Sequence, residues 1–133
     1  TTPGPGRMVR MGHLHDLMEL IQRHGAMLLV HSEDDDMVMN MYRKLGDEER
    51  TVWWNMPLVH NNESEDVSFR RVLNVAGWTG SPVYFVHVSA REGIQAIGES
   101  RAKGMPVYGE TLQNKCCFIS DNYREENGMK YQS

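Results

Sequence analysis

The pattern Gly-x-Pro-Val-Tyr occurs twice, as Gly80-Ser81-Pro82-Val83-Tyr84 and as Gly104-Met105-Pro106-Val107-Tyr108, with the two glycines 24 residues apart. That spacing holds one strand, one helix and two short loops. Successive strand–helix units of this kind imply parallel strands joined by right-handed crossovers. Between the copies, Ser89-Ala90-Arg91-Glu92 reads as a capping box, with the serine capping the first turn and the glutamate answering three residues on. Ile94, Ile97 and Ala102 then give a helix.

The same alternation runs upstream. Leu14, Leu17, Met18, Leu20 and Ile21 fall at helical spacing between His13 and His24, and Gly25 stops that helix. A short apolar run follows, Met27-Leu28-Leu29-Val30, ending at His31. Met37, Val38, Met41 and Leu45 predict a second helix ended by Gly46, and Ser64 to Thr79 a third. The stretch 47–62, with Trp53 and Trp54, reads as irregular. Residues 1 to 12 carry Pro3, Gly4, Pro5, Gly6 and Gly12, which is loop chemistry. The fold class is therefore α/β with a parallel sheet, either open and doubly wound or part of a (β/α)₈ barrel. A complete barrel needs about 250 residues, and this chain has 133. The barrel reading requires a fragment.

Short runs rich in β-branched and aromatic residues predict strands buried on both faces. Two such runs end in histidine: Met27 to His31, and Val83-Tyr84-Phe85-Val86-His87. Sites in parallel α/β proteins gather at the carboxyl ends of strands. Paired imidazoles at that rim point to a shared metal ion. A ligating histidine ordinarily donates its second ring N–H to a carboxylate or carbonyl. His13-Leu14-His15 is discounted as a metal pair, because side chains two apart on a helix diverge. His60 lies in a loop where it could touch a ligand, and Glu110 closes the third strand at the same rim. Glu33-Asp34-Asp35-Asp36 reads as a helix amino terminus.

The formal charge of −4 argues against a nucleic-acid binder. No apolar stretch reaches the roughly 18 residues of a membrane helix. Cys116 and Cys117 are adjacent and form no disulfide framework, so a reducing, cytoplasmic setting is expected, with both as small apolar residues in or after a strand. The chain offers neither a phosphate-binding loop nor an acyl-transfer serine elbow.

The segment 80–111, GSPVYFVHVSAREGIQAIGESRAKGMPVYGET, closely resembles the dihydropyrimidinase/D-hydantoinase family of cyclic amidohydrolases. GAMLLVHSED resembles the same family's strand ending in His-Ala/Cys-Glu-Asn, and His60-Asn61 with Ser64-Glu65-Asp66, and 127–131, fit it as well. The resemblance implies a partial (β/α)₈ barrel of the metal-dependent amidohydrolase type, with 1–133 a segment of one catalytic domain. It implies hydrolysis of a cyclic amide C–N bond with two divalent ions, zinc being the expected metal. His31 and His87 are placed as the two imidazoles on the more exposed ion. The family's His-x-His, bridging carboxylated lysine and last-strand aspartate have no match here and are expected outside the chain, the lysine shortly before Thr1. This segment alone is then expected to be inactive. The implied partner is a small cyclic amide, in a homotetramer, with no nucleic acid or membrane. Thr1 and Thr2 lie nearest the position of a substrate-binding tyrosine, and Lys115 stands where the family often has an aromatic. Three readings compete: a non-catalytic relative with the same fold, an allantoinase or dihydroorotase, and an unrelated α/β binding domain.

Overall fold

The computed structural model describes residues 8–131. The loop-forming prolines, Thr1, Thr2 and Ser133 lie outside the described residues. Helix α1 (Met11–Arg23) forms because Leu14 and Met18 bury one stripe, flanked by Met11, Leu17 and Ile21. It ends in a Schellman arrangement. Gly25 takes φ 63°, and the N–H groups of Gly25 and Ala26 return to the carbonyls of Gln22 and Ile21. Strand β1 (Leu28–Val30) follows.

Helix α2 (Asp35–Asp47) begins as its acid cluster predicts. Asp34 caps the Met37 N–H through Oδ1 at 3.1 Å, and Asp35 and Asp36 fill the first turn. Gly46 lies inside this helix. The left-handed residue beyond its end is Glu49, at φ 55°. The stretch expected to be irregular contains a 3₁₀ turn at Trp53–Asn55 and the short helix α3 (Met56–Val59). Helix α4 (Asn62–Thr79) starts at Asn61, whose Oδ1 accepts from the Ser64 N–H at 2.9 Å. Then come β2 (Val83–Phe85), α5 (Arg91–Ala102), β3 (Val107–Gly109) and α6 (Gln113–Cys117).

The three strands are parallel in the order β1-β2-β3, with Leu28, Val83 and Val107 in one register row and Leu29, Tyr84 and Tyr108 in the next. The first row faces the helices. Leu28, Val83, Phe85 and Val107 share one core with Leu14 and Met18 of α1, Phe69, Val72, Leu73 and Ala76 of α4, and Ala96 of α5. Phe69 stacks on Phe85 with centroids 4.0 Å apart, a contact worth about 0.5–1.5 kcal/mol beyond its buried area. Val38, Leu45 and Val59 form a smaller cluster joining α2 to α3.

Two expectations fail here. The strands are buried on one face only: Leu29 is 66% exposed and Tyr108 is 42% exposed, against 0% for Val83 and Val107. The helices α1, α4 and α5 all pack on the same side, and the other row is left largely open, with the Arg101 guanidinium 5.3 Å over the Tyr108 ring. The cysteines are exposed on α6 and are not core residues.

Candidate functional site: an imidazole pair backed by a carboxylate

His31 directly follows β1, and His87 lies two residues beyond β2. Because β1 and β2 are neighbours in parallel register, both histidines emerge at one rim. His31 Nδ1 lies 2.5 Å from His87 Nε2, and the rings meet edge to face with centroids 4.3 Å apart. His87 reaches this position with φ 44°, a left-handed conformation rare outside glycine. Bonds on both sides hold it there: Val86 N–H donates to the Val30 carbonyl at 3.2 Å, and Val88 N–H to the Glu110 carbonyl at 2.7 Å. A non-glycine residue held in this region costs of order 1–3 kcal/mol, and such residues cluster at ligand clamps.

The segment after β1 is tied to α4. Ser32 Oγ pairs with Ser68 Oγ at 2.8 Å, Asp34 N–H donates to the Ser64 carbonyl at 3.0 Å, and Asp34 accepts from Arg71 Nη1 at 2.6 Å. These contacts set Glu33 between two imidazoles. Its Oε2 lies 3.2 Å from His31 Nε2, and its Oε1 lies 2.9 Å from His60 Nδ1. His60 Nε2 in turn lies 3.1 Å from the Tyr42 hydroxyl. Burial raises the Glu33 carboxyl, but hydrogen bonds and charge from His31 and His60 outweigh it and hold the group well below the usual carboxylate range. Burial also pushes His87 down, helped by the charges of His31 and Lys115, so its imidazole is neutral near pH 7. Burial and the Glu33 charge raise the Tyr42 phenol, which stays protonated as a donor.

Glu65 supports the His87 side. This buried carboxylate accepts from Ser89 N–H at 3.0 and 3.2 Å, Ser89 Oγ at 2.6 Å and Ala90 N–H at 2.8 Å. The expected capping box is therefore replaced. Helix α5 has Ala90 at its N-cap with no local side-chain bond, and a carboxylate from α4 serves instead.

His31, Glu33, His60, His87 and Lys115 line one cleft of about 870 Å³, walled by Phe118 and Tyr123 among others. Glu110 is elsewhere, on the uncovered sheet face, accepting from the Tyr84 hydroxyl at 2.9 Å. His13 and His15 sit exposed on α1 and do not line this cleft. Among the described residues no group of three or more His, Cys, Asp or Glu forms a metal cage. The donor chemistry of the pair nevertheless suits a cation: two imidazole nitrogens already face each other, and rings holding an ion at about 2.0–2.1 Å per nitrogen need to part by less than about 1 Å.

Sequence reasoning singled out the two histidines and missed Glu33 and Tyr42. A signal for Glu33 was present. In an extended segment residues i and i+2 share a side, so His31-Ser32-Glu33 already set the carboxylate beside the ring.

No protein-family model matches the chain. A D-hydantoinase of Geobacillus stearothermophilus is 30% identical over 123 residues, covering 90% of this chain and 26% of that protein. The chain is related to the D-hydantoinases. It spans about a quarter of the length of the curated relatives it matches. A solved D-hydantoinase structure superimposes with a TM-score of 0.91 at 21% identity, covering 97% of this chain and 29% of that one. The dihydropyrimidinase of Brevibacillus agri gives 0.89 at 22% identity, covering 93% and 27%. The β1-β2-β3 unit with its helices is thus the fold of a hydantoinase segment.

Proposed function

We propose that this chain is a segment of the catalytic domain of a metal-dependent hydrolase that opens cyclic amides of the hydantoin or dihydropyrimidine type. The observation that carries this reading is the meeting of His31 Nδ1 and His87 Nε2 at the carboxyl ends of adjacent parallel strands, inside a cleft. The relatives named D-hydantoinase supply the substrate class. The barrel reading is supported by sequential strand order with α1, α4 and α5 on one side. A doubly wound sheet puts helices on both faces, whereas a barrel wraps them outside and packs the other face inward. Cytoplasmic placement is supported by two exposed free thiols. Among the described residues no helix is long and apolar enough to cross a membrane.

In this reading His31 and His87 hold a divalent ion, zinc being favoured by imidazole ligation. When bound, such an ion supplies Lewis acidity for polarising an amide carbonyl and lowers the pKa of water. The chain's own side chains anchor and orient, and neither histidine carries a proton to or from substrate. The cleft of about 870 Å³, lined in part by Phe118 and Tyr123, has room for a small ring. Overall, water adds its oxygen to the ring carbonyl carbon, the C–N bond breaks, and the released nitrogen gains a proton.

The test uses the full-length protein, stripped by a chelator and reloaded with Zn²⁺ or Mn²⁺. Ring opening of hydantoin, dihydrouracil and allantoin is followed by loss of ring absorbance. Metal-dependent turnover of hydantoin or dihydrouracil, lost by at least a hundredfold in His31→Ala and His87→Ala, is the expected result. No turnover by fully loaded protein would favour a non-catalytic relative, and a preference for allantoin would reassign the substrate.

A further inference from the structure

We propose that Glu33 is a positioning residue, itself seated by His60 and Tyr42, that selects the His31 tautomer whose Nδ1 carries a lone pair towards His87. The proposal rests on the metal-anchor reading for its purpose, and on hydrogen-bond geometry for its substance. Each Glu33 oxygen meets one imidazole, Oε2 with His31 Nε2 at 3.2 Å and Oε1 with His60 Nδ1 at 2.9 Å. An ionised carboxylate only accepts hydrogen bonds. Both ring nitrogens facing it must therefore carry protons. Were the His31 proton on Nδ1, the Nε2 lone pair would face a carboxylate oxygen in a part-buried site, and two acceptors would repel. With the proton on Nε2, the opposite nitrogen presents its lone pair to His87 Nε2, 2.5 Å away.

The outer half of the chain follows the same logic. With its Nδ1–H donating to Glu33, His60 has an acceptor at Nε2, and the Tyr42 hydroxyl donates to it across 3.1 Å. One proton arrangement then satisfies the whole line from Tyr42 through His60 and Glu33 to His31. Glu33 has little freedom to turn away, since only 16% of its side chain is exposed and its neighbours Ser32 and Asp34 are bonded to α4. Partners of this kind on a ligating histidine are generally worth 10–100-fold in metal affinity.

The experiment uses metal-free full-length protein with ¹⁵N-labelled histidine and zinc competition against a chelator. In the native protein the His31 Nε2 signal is that of a protonated nitrogen and the Nδ1 signal that of an unprotonated one. Glu33→Gln turns one acceptor into an NH₂ donor, so it is expected to mix the His31 tautomers and weaken zinc binding by about 10–100-fold. His60→Gln, which loosens Glu33, is expected to give the same change in smaller degree. Native-like tautomer signals in both variants, or zinc affinity within twofold of native in Glu33→Gln, overturn the proposal. If Glu33→Gln does not fold by circular dichroism, His60→Gln and Tyr42→Phe decide, and an unchanged His31 signal in both refutes it. Failure of the metal reading shows differently: His31→Ala and His87→Ala would then bind zinc as native protein does, while the tautomer signals still report on Glu33.

Discussion

A residue's neighbours set its chemistry here more than its type does. His31 and His87 are brought to one point by different means: His31 by following β1 directly, His87 by a left-handed turn at φ 44°. The turn gives a prediction independent of catalysis. Alanine at position 87 keeps the Cβ strain and glycine does not, so His87→Gly should be more stable than His87→Ala by on the order of 1 kcal/mol. Urea unfolding of the full-length variants checks the sign. Equal stabilities would mean that the local backbone relaxes on losing the ring. His31 and His87 were legible in the sequence because each ends an apolar run. Their partners were less so. In sequence Glu33 belongs to a helix-starting acid cluster, but only Asp34, Asp35 and Asp36 behave that way.

At the scale of elements, helix starts and ends follow sequence where the cap is local and depart where it is not. Asn61 and Asp34 cap their own helices. Helix α5 takes its cap from Glu65, one helix away. Replacing Glu65 by glutamine puts an NH₂ donor against backbone N–H donors in a buried place, which should destabilise the fold by about 1–3 kcal/mol, read as a lower urea midpoint. The local capping-box alternative predicts no change. The 3₁₀ turns at Ser120–Arg124 and Gly128–Tyr131 are joined through Glu125, which accepts from the Tyr131 hydroxyl and from Asn122 Nδ2. The Tyr131 bond, then the Asn122 bond, hold its carboxyl below the usual range, with Lys130 adding to them. A lowered folded pKa means that this link is present above the unfolded value of about 4.3 and is lost as pH falls through the folded one. Hydrogen-exchange protection factors at 120–131, corrected for the intrinsic pH dependence of amide exchange, should therefore fall on acidification in the native protein, and the pH step should shrink in Tyr131→Phe.

Among the described residues the sheet is covered by helices on one side. Leu29, Tyr84 and Tyr108 form a register row facing away from the helices, although parallel sheets are ordinarily covered on both faces. Expressed by itself, the 133-residue chain should bind a hydrophobic dye such as ANS and self-associate in gel filtration. It should also show no metal-stimulated ring opening. A monodisperse monomer that binds no dye would show that this face needs no cover, and would count against the barrel segment.

The sequence by itself determined the alternation of strands and helices, the parallel order, and the two histidines that mark one rim. These features are local: periodicity, turn residues and strand endings act over a few residues. Tertiary structure alone decided that Nδ1 of one ring faces Nε2 of the other, that Glu33 stands between His31 and His60, and that Glu65 caps α5 from another helix. Each depends on groups from separate elements meeting within hydrogen-bond distance, and spacing along one chain does not encode such a meeting. The uncovered sheet face was likewise invisible in sequence, because an apolar strand reads the same whether or not a partner layer lies against it.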